Sequence, residues 1–394
     1  MAACRVNRQY GSWPETGFES SKRTSRAFWW CEGDLSTDDP ETTLKPREEY
    51  YSHDMATPIR ISLPHGRRVY LHVEEADVLT YPCDLLALKY AQALHGADRA
   101  VVQALTSSHP QIAVELPSVG HFKVFQSSGQ LGATQLLFIG VPQLRQFRYR
   151  EIRDFGRTIL SIVSAHLPAV ERLALTVHGP GTGLDELECF DSLLAGLLDA
   201  LFAGDTPGTL SDLAIVERVH RRARRFDDAL DRIIQSRMLE IDPGGSLKLE
   251  LQPGITQRMR SAGYASETKP FVFVAMPFRE DMRDHYEYGI QNAAEKAGFL
   301  CERADYATFV GDILQWVKSR IDAATIVVAD LSHTNPNVYL ELGYAWGRSK
   351  PTILLLREGD DVPFDVQGQR YFVYRRIKDI ETMLSKELTA ISST

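Results

Sequence analysis

The chain has 394 residues, 44% of them hydrophobic and 24% charged, with a formal net charge of -8 and a pI near 5.8. That length exceeds one ordinary core and suits two domains with connectors, and the acidic balance argues against a general nucleic-acid binder. The cysteines are odd in number, far apart and without Cys-x-x-Cys spacing, so neither a disulfide framework nor a zinc site is expected and a reducing cytoplasm is the expected compartment.

Residues 1–58 are rich in Ser, Thr, Glu, Arg and Gly and carry isolated aromatics (Trp13, Phe28, Trp29, Trp30). They hold neither helical nor strand periodicity, the pattern of a disordered extension. Met55 stands just ahead of the first strand pattern and is a candidate natural start. No export leader is expected, and no apolar run approaches the roughly 20 residues that a membrane span needs.

From Ile59 the pattern becomes regular. Arg68 to Val73 alternates as a strand, and Asp84 to Leu88 and Gln135 to Gly140 read as buried strands. Tyr149 to His166 sets Ile152, Phe155, Ile159, Leu160 and Val163 at helical spacing, and Leu173 to Val177 follows as a strand. His178-Gly-Pro-Gly-Thr-Gly-Leu-Asp185 breaks the regularity before a helix from about Glu186 to Phe202, and Asp212 to Val216 is the expected last strand. Residues 218–268 read as a charged amphipathic helix and a Pro/Gly/Ser-bearing connector around Asp242 to Ser246. The basic run Arg218 to Arg225, followed by Asp227, Asp228 and Asp231, predicts a solvated helix face.

Beginning at Pro270, strands at Phe271 to Ala275, Phe299 to Arg303, Thr325 to Asp330, Pro351 to Leu356 and Arg370 to Tyr374 alternate with helices. Such alternation requires a mostly parallel, doubly wound sheet that binds ligands at the carboxyl ends of its strands. Three polar clusters fall there: Met276-Pro-Phe-Arg-Glu280, Arg303-Ala-Asp305 and Asp330-Leu-Ser-His-Thr-Asn-Pro-Asn337. The third opens a helix that carries Glu341 one turn inside. An acid there is either a partner of the helix dipole or a working group.

The segments Val272-Phe-Val-Ala-Met-Pro-Phe278 and Asn335-Pro-Asn-Val-Tyr-Leu-Glu-Leu-Gly-Tyr-Ala345 resemble the two signature regions of nucleoside 2-deoxyribosyltransferases, over essentially all of residues 270–394. The resemblance implies a flavodoxin-like frame and makes Glu341 the counterpart of the family's nucleophile, which attacks the anomeric carbon. TIR domains that cleave NAD share the frame and a similarly used glutamate, so N-glycosidic chemistry is implied more firmly than any one substrate. A carboxylate beside that carbon can stabilise or bond to the oxocarbenium that forms as the bond breaks.

Asp312, which matches an acid at a helix start in the family, and Asp330 are candidates to relieve the leaving base; each is otherwise an early-helix acid or a loop cap. Met276, Pro277, Phe278, Arg303, Asn335 and Asn337 are the expected substrate contacts. The family's aspartate six residues before the nucleophile is replaced by Asn335. That argues against base exchange and leaves hydrolysis, a leaving group such as nicotinamide that needs no proton, or binding without turnover.

In residues 74–102, Glu-Glu-Ala-Asp77, Cys-Asp84-Leu-Leu-Ala-Leu and His95-Gly-Ala-Asp98-Arg-Ala resemble the opening of a macro domain or of the related aminopeptidase N-terminal domain. Gly179-Pro-Gly-Thr-Gly183 fits the same picture, because a glycine turn between strand and helix lets backbone amides approach a diphosphate. The resemblance implies Asp77 as an acceptor for adenine and Gly179, Gly181 and Gly183 as the cradle. Leu88-Lys89-Tyr90 stands where hydrolytic macro domains carry an asparagine, which implies binding rather than de-ADP-ribosylation.

The expected fold is α/β in two domains: an extension (1–58), a macro-like α/β sandwich (59–217), a helical linker (218–268) and a flavodoxin-like doubly wound parallel sheet (269–394). The expected function is a nucleotide-sensing effector whose C-terminal domain cleaves an N-glycosidic bond in NAD or a nucleotide, an arrangement resembling bacterial antiviral defence effectors. The alternatives are a non-catalytic nucleotide-binding scaffold and a metabolic nucleoside deoxyribosyltransferase or hydrolase. No metal and no cofactor beyond the NAD or nucleotide substrate is expected. The expected partner is a small-molecule nucleotide, with neither nucleic acid nor membrane, and the resemblance implies a homo-oligomer.

Overall fold

Successive residues of a strand face opposite sides, so a strand that is apolar throughout must be covered on both faces, and the chain builds two sheets on that rule. The computed structural model describes residues 58–63, 66–233, 238–241, 247–248, 253–304, 313–361 and 364–392. The expected extension, with Met55, lies outside these residues apart from its last position, as do Asp312 and the connector 242–246. The described residues belong to one compact unit, Tyr51–Thr394.

The first sheet runs β4-β5-β3-β6-β7-β2-β1-β8-β9. Its strands are β1 (Ile59–Ser62), β2 (Arg68–Glu75), β3 (Cys83–Tyr90), β4 (Phe122–Gln126), β5 (Ala133–Gly140), β6 (Arg172–Leu175), β7 (Asp212–Glu217), β8 (Met238–Ile241) and β9 (Leu247–Lys248). Strands β5, β3, β6, β7 and β2 form a parallel centre, flanked by antiparallel pairings of β4 on β5 and β1 on β2. On one face Leu86 and Leu88 pack with Val101, Val102 and Leu105 of α1 (Gly96–Leu105). On the other, Leu85 and Ala87 meet the core of α2 (Tyr149–His166), α3 (Glu186–Phe202) and α4 (His220–Ile233), including Ile152, Phe190 and Phe226.

Two features depart from the sequence reading. β7 does not end the sheet: β8 pairs parallel with β1, β9 pairs antiparallel with β8, and α5 (Pro253–Ser261) follows. The stretch expected to be a helical linker therefore adds two strands to the first sheet, from runs of four and two residues that are too short to show a period. β4 has no counterpart in the sequence reading, because it is a short and largely uncovered edge strand.

The second sheet is wholly parallel, in the order β11-β10-β12-β13-β14. Its strands are β10 (Phe271–Ala275), β11 (Leu300–Arg303), β12 (Ile326–Asp330), β13 (Thr352–Arg357) and β14 (Tyr371–Tyr374). That is the flavodoxin-like 2-1-3-4-5 order of a doubly wound sheet, so the fold class is the one the sequence predicts. Val272, Val274 and Val328 pack under α6 (Asn292–Lys296) and α9 (Ile377–Ser392), and Phe273, Val327 and Ala329 under α7 (Ile313–Ala323) and α8 (Pro336–Gly347). The helix that follows β10 is π-helical from His285 to Gln291 before it becomes α6. Within the wide turn Gly289 lies against Ile380 of α9, so close that a Cβ there would sit 3.1 Å from that side chain.

β11 is an edge strand, and an open edge invites pairing. The first domain covers it. The Arg303 N–H donates to the Gly183 carbonyl at 3.2 Å and the Cys301 N–H to the Asp185 carboxylate at 3.0 Å. Between them the fully buried Glu302 accepts from the Tyr149 hydroxyl at 2.9 Å, from Arg148 at 3.1 Å and from Arg320 at 2.8 Å.

Candidate functional site

Two of the hollows among the described residues border residues that the sequence singles out. The first, of about 380 Å³, opens at the carboxyl ends of β2, β3, β6 and β7 and is bounded by the loop between β6 and α3. In that loop Gly179 has φ 113°, and a Cβ there would collide with the Cys189 sulfur. Pro180–Thr182 makes a single 3-10 turn, closed by the Thr182 N–H on the Gly179 carbonyl at 2.8 Å and by the Thr182 hydroxyl on the same oxygen at 2.7 Å. Around Gly181 the space is open, with nothing within 4 Å of the place a Cβ would take. Such a turn leaves backbone free to approach a phosphate at the head of α3.

Of the residues expected here, Asp77, Gly179 and Gly181 line the hollow. The Asp77 side chain accepts from the Leu79 N–H at 2.9 Å. Gly183 does a different job: at φ 88° it faces the second domain, where a Cβ would stand 2.5 Å from the Arg303 carbonyl oxygen. Lys89, His95, His178 and Arg222 also line the hollow. The signal at Lys89 is a lysine at the end of the apolar run Leu85–Leu88 of β3.

The basic run is solvated at its start, Arg218 to His220, and not beyond. Arg221, Arg222 and Arg225 are half-buried and hold Glu186 at 3.3, 3.1 and 3.0 Å, and Arg225 also reaches Asn292 and Glu295 of the second domain. The expectation failed because the matching carboxylates come from distant segments.

In the second domain the expected residues fall into three groups. Arg303, buried, donates to the Met276 sulfur at 3.2 Å and lies over the Tyr286 ring, 4.1 Å from its centre. Pro277 is buried beside them and Phe278 is 53% exposed.

The second group surrounds Asp330, which is fully buried. One carboxylate oxygen accepts from the Ser332 N–H at 3.0 Å and the other from the Tyr374 hydroxyl at 2.9 Å. Burial pushes its pKa up, with the Ser332 and Tyr374 bonds opposing. Both oxygens are thus engaged in holding the loop. Nearby, Asn335 caps α8 by accepting from the Asn337 N–H at 2.9 Å, and Asn337 itself is exposed. Sequence reasoning missed His333 and Thr334, two non-glycine residues at φ 60° and 39°. Backbone strain of this kind concentrates at functional loops. His333 lies 3.4 Å from the Asp281 carboxylate, which joins this loop to the one after β10.

The third group is Glu341 and its surroundings. The residue is buried, 9% exposed, and borders a hollow of about 340 Å³ between α7 and α8. Leu314, Val317 and Lys318 line one side, Tyr339, Leu340 and Tyr344 the other. Met276, Arg303 and Asp330 do not contribute to that lining.

Among the described residues no group of three or more His, Cys, Asp or Glu is placed to hold a metal ion, and no helix is long and apolar enough to cross a membrane. No protein-family model matches the chain, and none of the curated proteins matches it in sequence. Solved structures do match. A macrodomain from Oceanobacillus iheyensis with ADPR is 14% identical, covering 46% of this chain and 100% of that one, with a TM-score of 0.36. A Trypanosoma brucei macrodomain in complex with ADP is 16% identical over 41% of this chain and 68% of that one, with a TM-score of 0.34. A CMP N-glycosidase from Clostridium botulinum is 23% identical over 29% of this chain and 98% of that one, with a TM-score of 0.26.

Proposed function

We propose that the protein is a nucleotide-responsive device: the first hollow holds a nucleotide with its phosphates over the Gly179–Gly183 turn, and the second domain cleaves an N-glycosidic bond in NAD or a nucleotide at Glu341. The observation that carries this reading is the backbone hydrogen bond between the two parts at Gly183 and Arg303. The turn that would cradle phosphate ends at Gly183, and the Gly183 carbonyl accepts from Arg303 at the carboxyl end of β11, where a doubly wound sheet places its ligands. A nucleotide that orders the turn acts directly on that strand end. Glu341 supplies a buried carboxylate beside an open hollow, which is what a developing ribosyl cation needs. Cleavage on demand would suit a defence effector, and survival of bacteria challenged with phage reads that role.

The test incubates the full chain, as wild type, Glu341→Gln and Gly181→Val, with NAD and a panel of nucleotides and nucleosides, and resolves the products by liquid chromatography. Base release by the wild type that falls by about 10²-fold or more in Glu341→Gln supports the reading. Gly181→Val puts a side chain into the cradle at a position where a Cβ meets nothing within 4 Å, so it removes the response to nucleotide. Intact substrates in the presence of every nucleotide activator would overturn the enzymatic part.

A non-catalytic scaffold is the second reading, and one observation favours it. Leu314, Val317, Ile321 and Leu340 make the hollow beside Glu341 largely apolar, and Asp330 is committed to its loop. On that reading Glu341→Gln leaves nucleotide binding and every cellular function unchanged.

A further inference from the structure

One end of the first hollow carries a group of ionisable side chains that the reading above does not use. Lys89, 4% exposed on β3, lines the hollow and forms an ion pair with Asp98, which is wholly buried in the first turn of α1. An ammonium carries three donors, and Asp98 is its contact among the described residues. His95, at the start of α1, also lines the hollow, and its Nδ1 is buried without a hydrogen-bond partner. His178 is the third member, set edge-on to Phe147 and Phe155. Burial, and after it the Lys89 charge, hold both imidazoles below their usual pKa.

Position gives this group its meaning. The sheet order β3-β6-β7-β2 separates Lys89 from Asp77 by three strand spacings, roughly 14 Å at the usual interval between strands. The glycine turn follows β6, between them. A nucleotide with its base near Asp77 and its phosphates over the turn would lay its far end against Lys89. Buried polar atoms without partners are costly, and the group that satisfies an ammonium and the Nδ1–H tautomer of a neighbouring imidazole best is an anion with several oxygens.

We infer that this end of the hollow is an anion subsite, which takes a phosphate or a carboxylate on the part of a nucleotide most distant from its base, with Lys89 as the specificity-determining contact. The inference rests on the reading of the hollow as a nucleotide site.

Calorimetric titration of the full chain tests it with four probes: ADP-ribose, ADP-ribose carrying a phosphate on its second ribose, nicotinic acid adenine dinucleotide and inorganic phosphate. The comparison variant is Lys89→Met with Asp98→Asn, which removes both charges together and leaves no lone buried ion. The expected result is that one of the acidic nucleotides binds the wild type at least tenfold tighter than ADP-ribose, and that the double variant loses this preference while keeping ADP-ribose; which acidic nucleotide wins identifies phosphate or carboxylate. Equal binding of all three nucleotides by the wild type overturns the subsite and leaves the nucleotide reading standing, a comparison that needs no variant. Persistence of the preference in the double variant overturns the role of Lys89. Binding of inorganic phosphate that depends on Lys89, with no nucleotide bound, upholds the subsite and overturns the nucleotide reading. No binding of any probe overturns both.

Discussion

Arg303 donates its main-chain N–H to the carbonyl of Gly183 at 3.2 Å, and this bond ties the end of a strand in the second sheet to the turn that borders the hollow of the first. Gly183 can serve because it lacks a side chain. At φ 88° and with the Arg303 carbonyl oxygen 2.5 Å from where a Cβ would stand, nothing larger fits.

Gly183→Ala should therefore lower stability by about 1 to 3 kcal/mol, from left-handed strain and the forced displacement of β11. Gly208→Ala is the control, since nothing lies within 4 Å of its Cβ position and its φ is unremarkable; its change should stay within about 0.5 kcal/mol. Urea unfolding of the two variants reads both values. Equal stability would mean that the turn and the strand end are only loosely apposed.

Glu302 holds the same interface by charge. It is fully buried and accepts from Tyr149, Arg148 and Arg320 at once. Glu302→Gln keeps the shape and removes the charge, depriving Arg320 of its buried counter-ion and leaving Arg148 to Glu267, a loss of about 3 to 5 kcal/mol. Scanning calorimetry should show a melt that is broader than that of the wild type, or split, as the second sheet unfolds separately. An unchanged melt would show that Glu302 adds nothing to the union of the two domains.

The frame of the second domain was legible because β10, β12 and β13 are short apolar runs and helical periods follow β10, β11 and β12, a pattern with one stable solution. Glu341 was legible for a local reason as well, since an acid one turn into a helix behind Asn335-Pro336 is fixed by the cap alone. The link between the domains was not. Asp185, Tyr149 and Glu302 look ordinary in sequence and Gly183 reads there as part of a phosphate cradle, and they meet only because β11 is an edge strand that the first domain covers. Lys89 and Asp98 show the same limit from the other side. A lysine at the end of the apolar run Leu85–Leu88 signals that something is there, but only the fold supplies the carboxylate and the hollow beside it.

Asp330 offers a clean division between structural and catalytic roles. If its work is to hold the loop before α8, Tyr374→Phe removes one of its two donors and lowers stability by about 1 to 3 kcal/mol. Turnover that depends on Glu341 should persist below the lowered melting temperature. Loss of turnover with an unchanged melting curve would instead assign Asp330 and Tyr374 to the chemistry.

Asp185 makes the interface sensitive to pH. Its carboxylate caps α3 by accepting from the Glu188 N–H at 2.9 Å and reaches the second domain by accepting from the Cys301 N–H at 3.0 Å. Burial raises its pKa from 3.8 to about 7, against the pull of those two bonds. The folded protein therefore holds this proton more tightly than the unfolded chain does. The stabilisation from Asp185 is complete below about pH 4 and is lost as the pH rises through about 7, at about 1.4 kcal/mol per pH unit across that window. Asp185→Asn removes the titration and one acceptor, so it should cost about 1 kcal/mol at low pH and become relatively more stable as the pH climbs. Urea unfolding of both proteins at intervals between pH 4 and 8 should give curves that converge or cross; parallel curves would place the proton elsewhere.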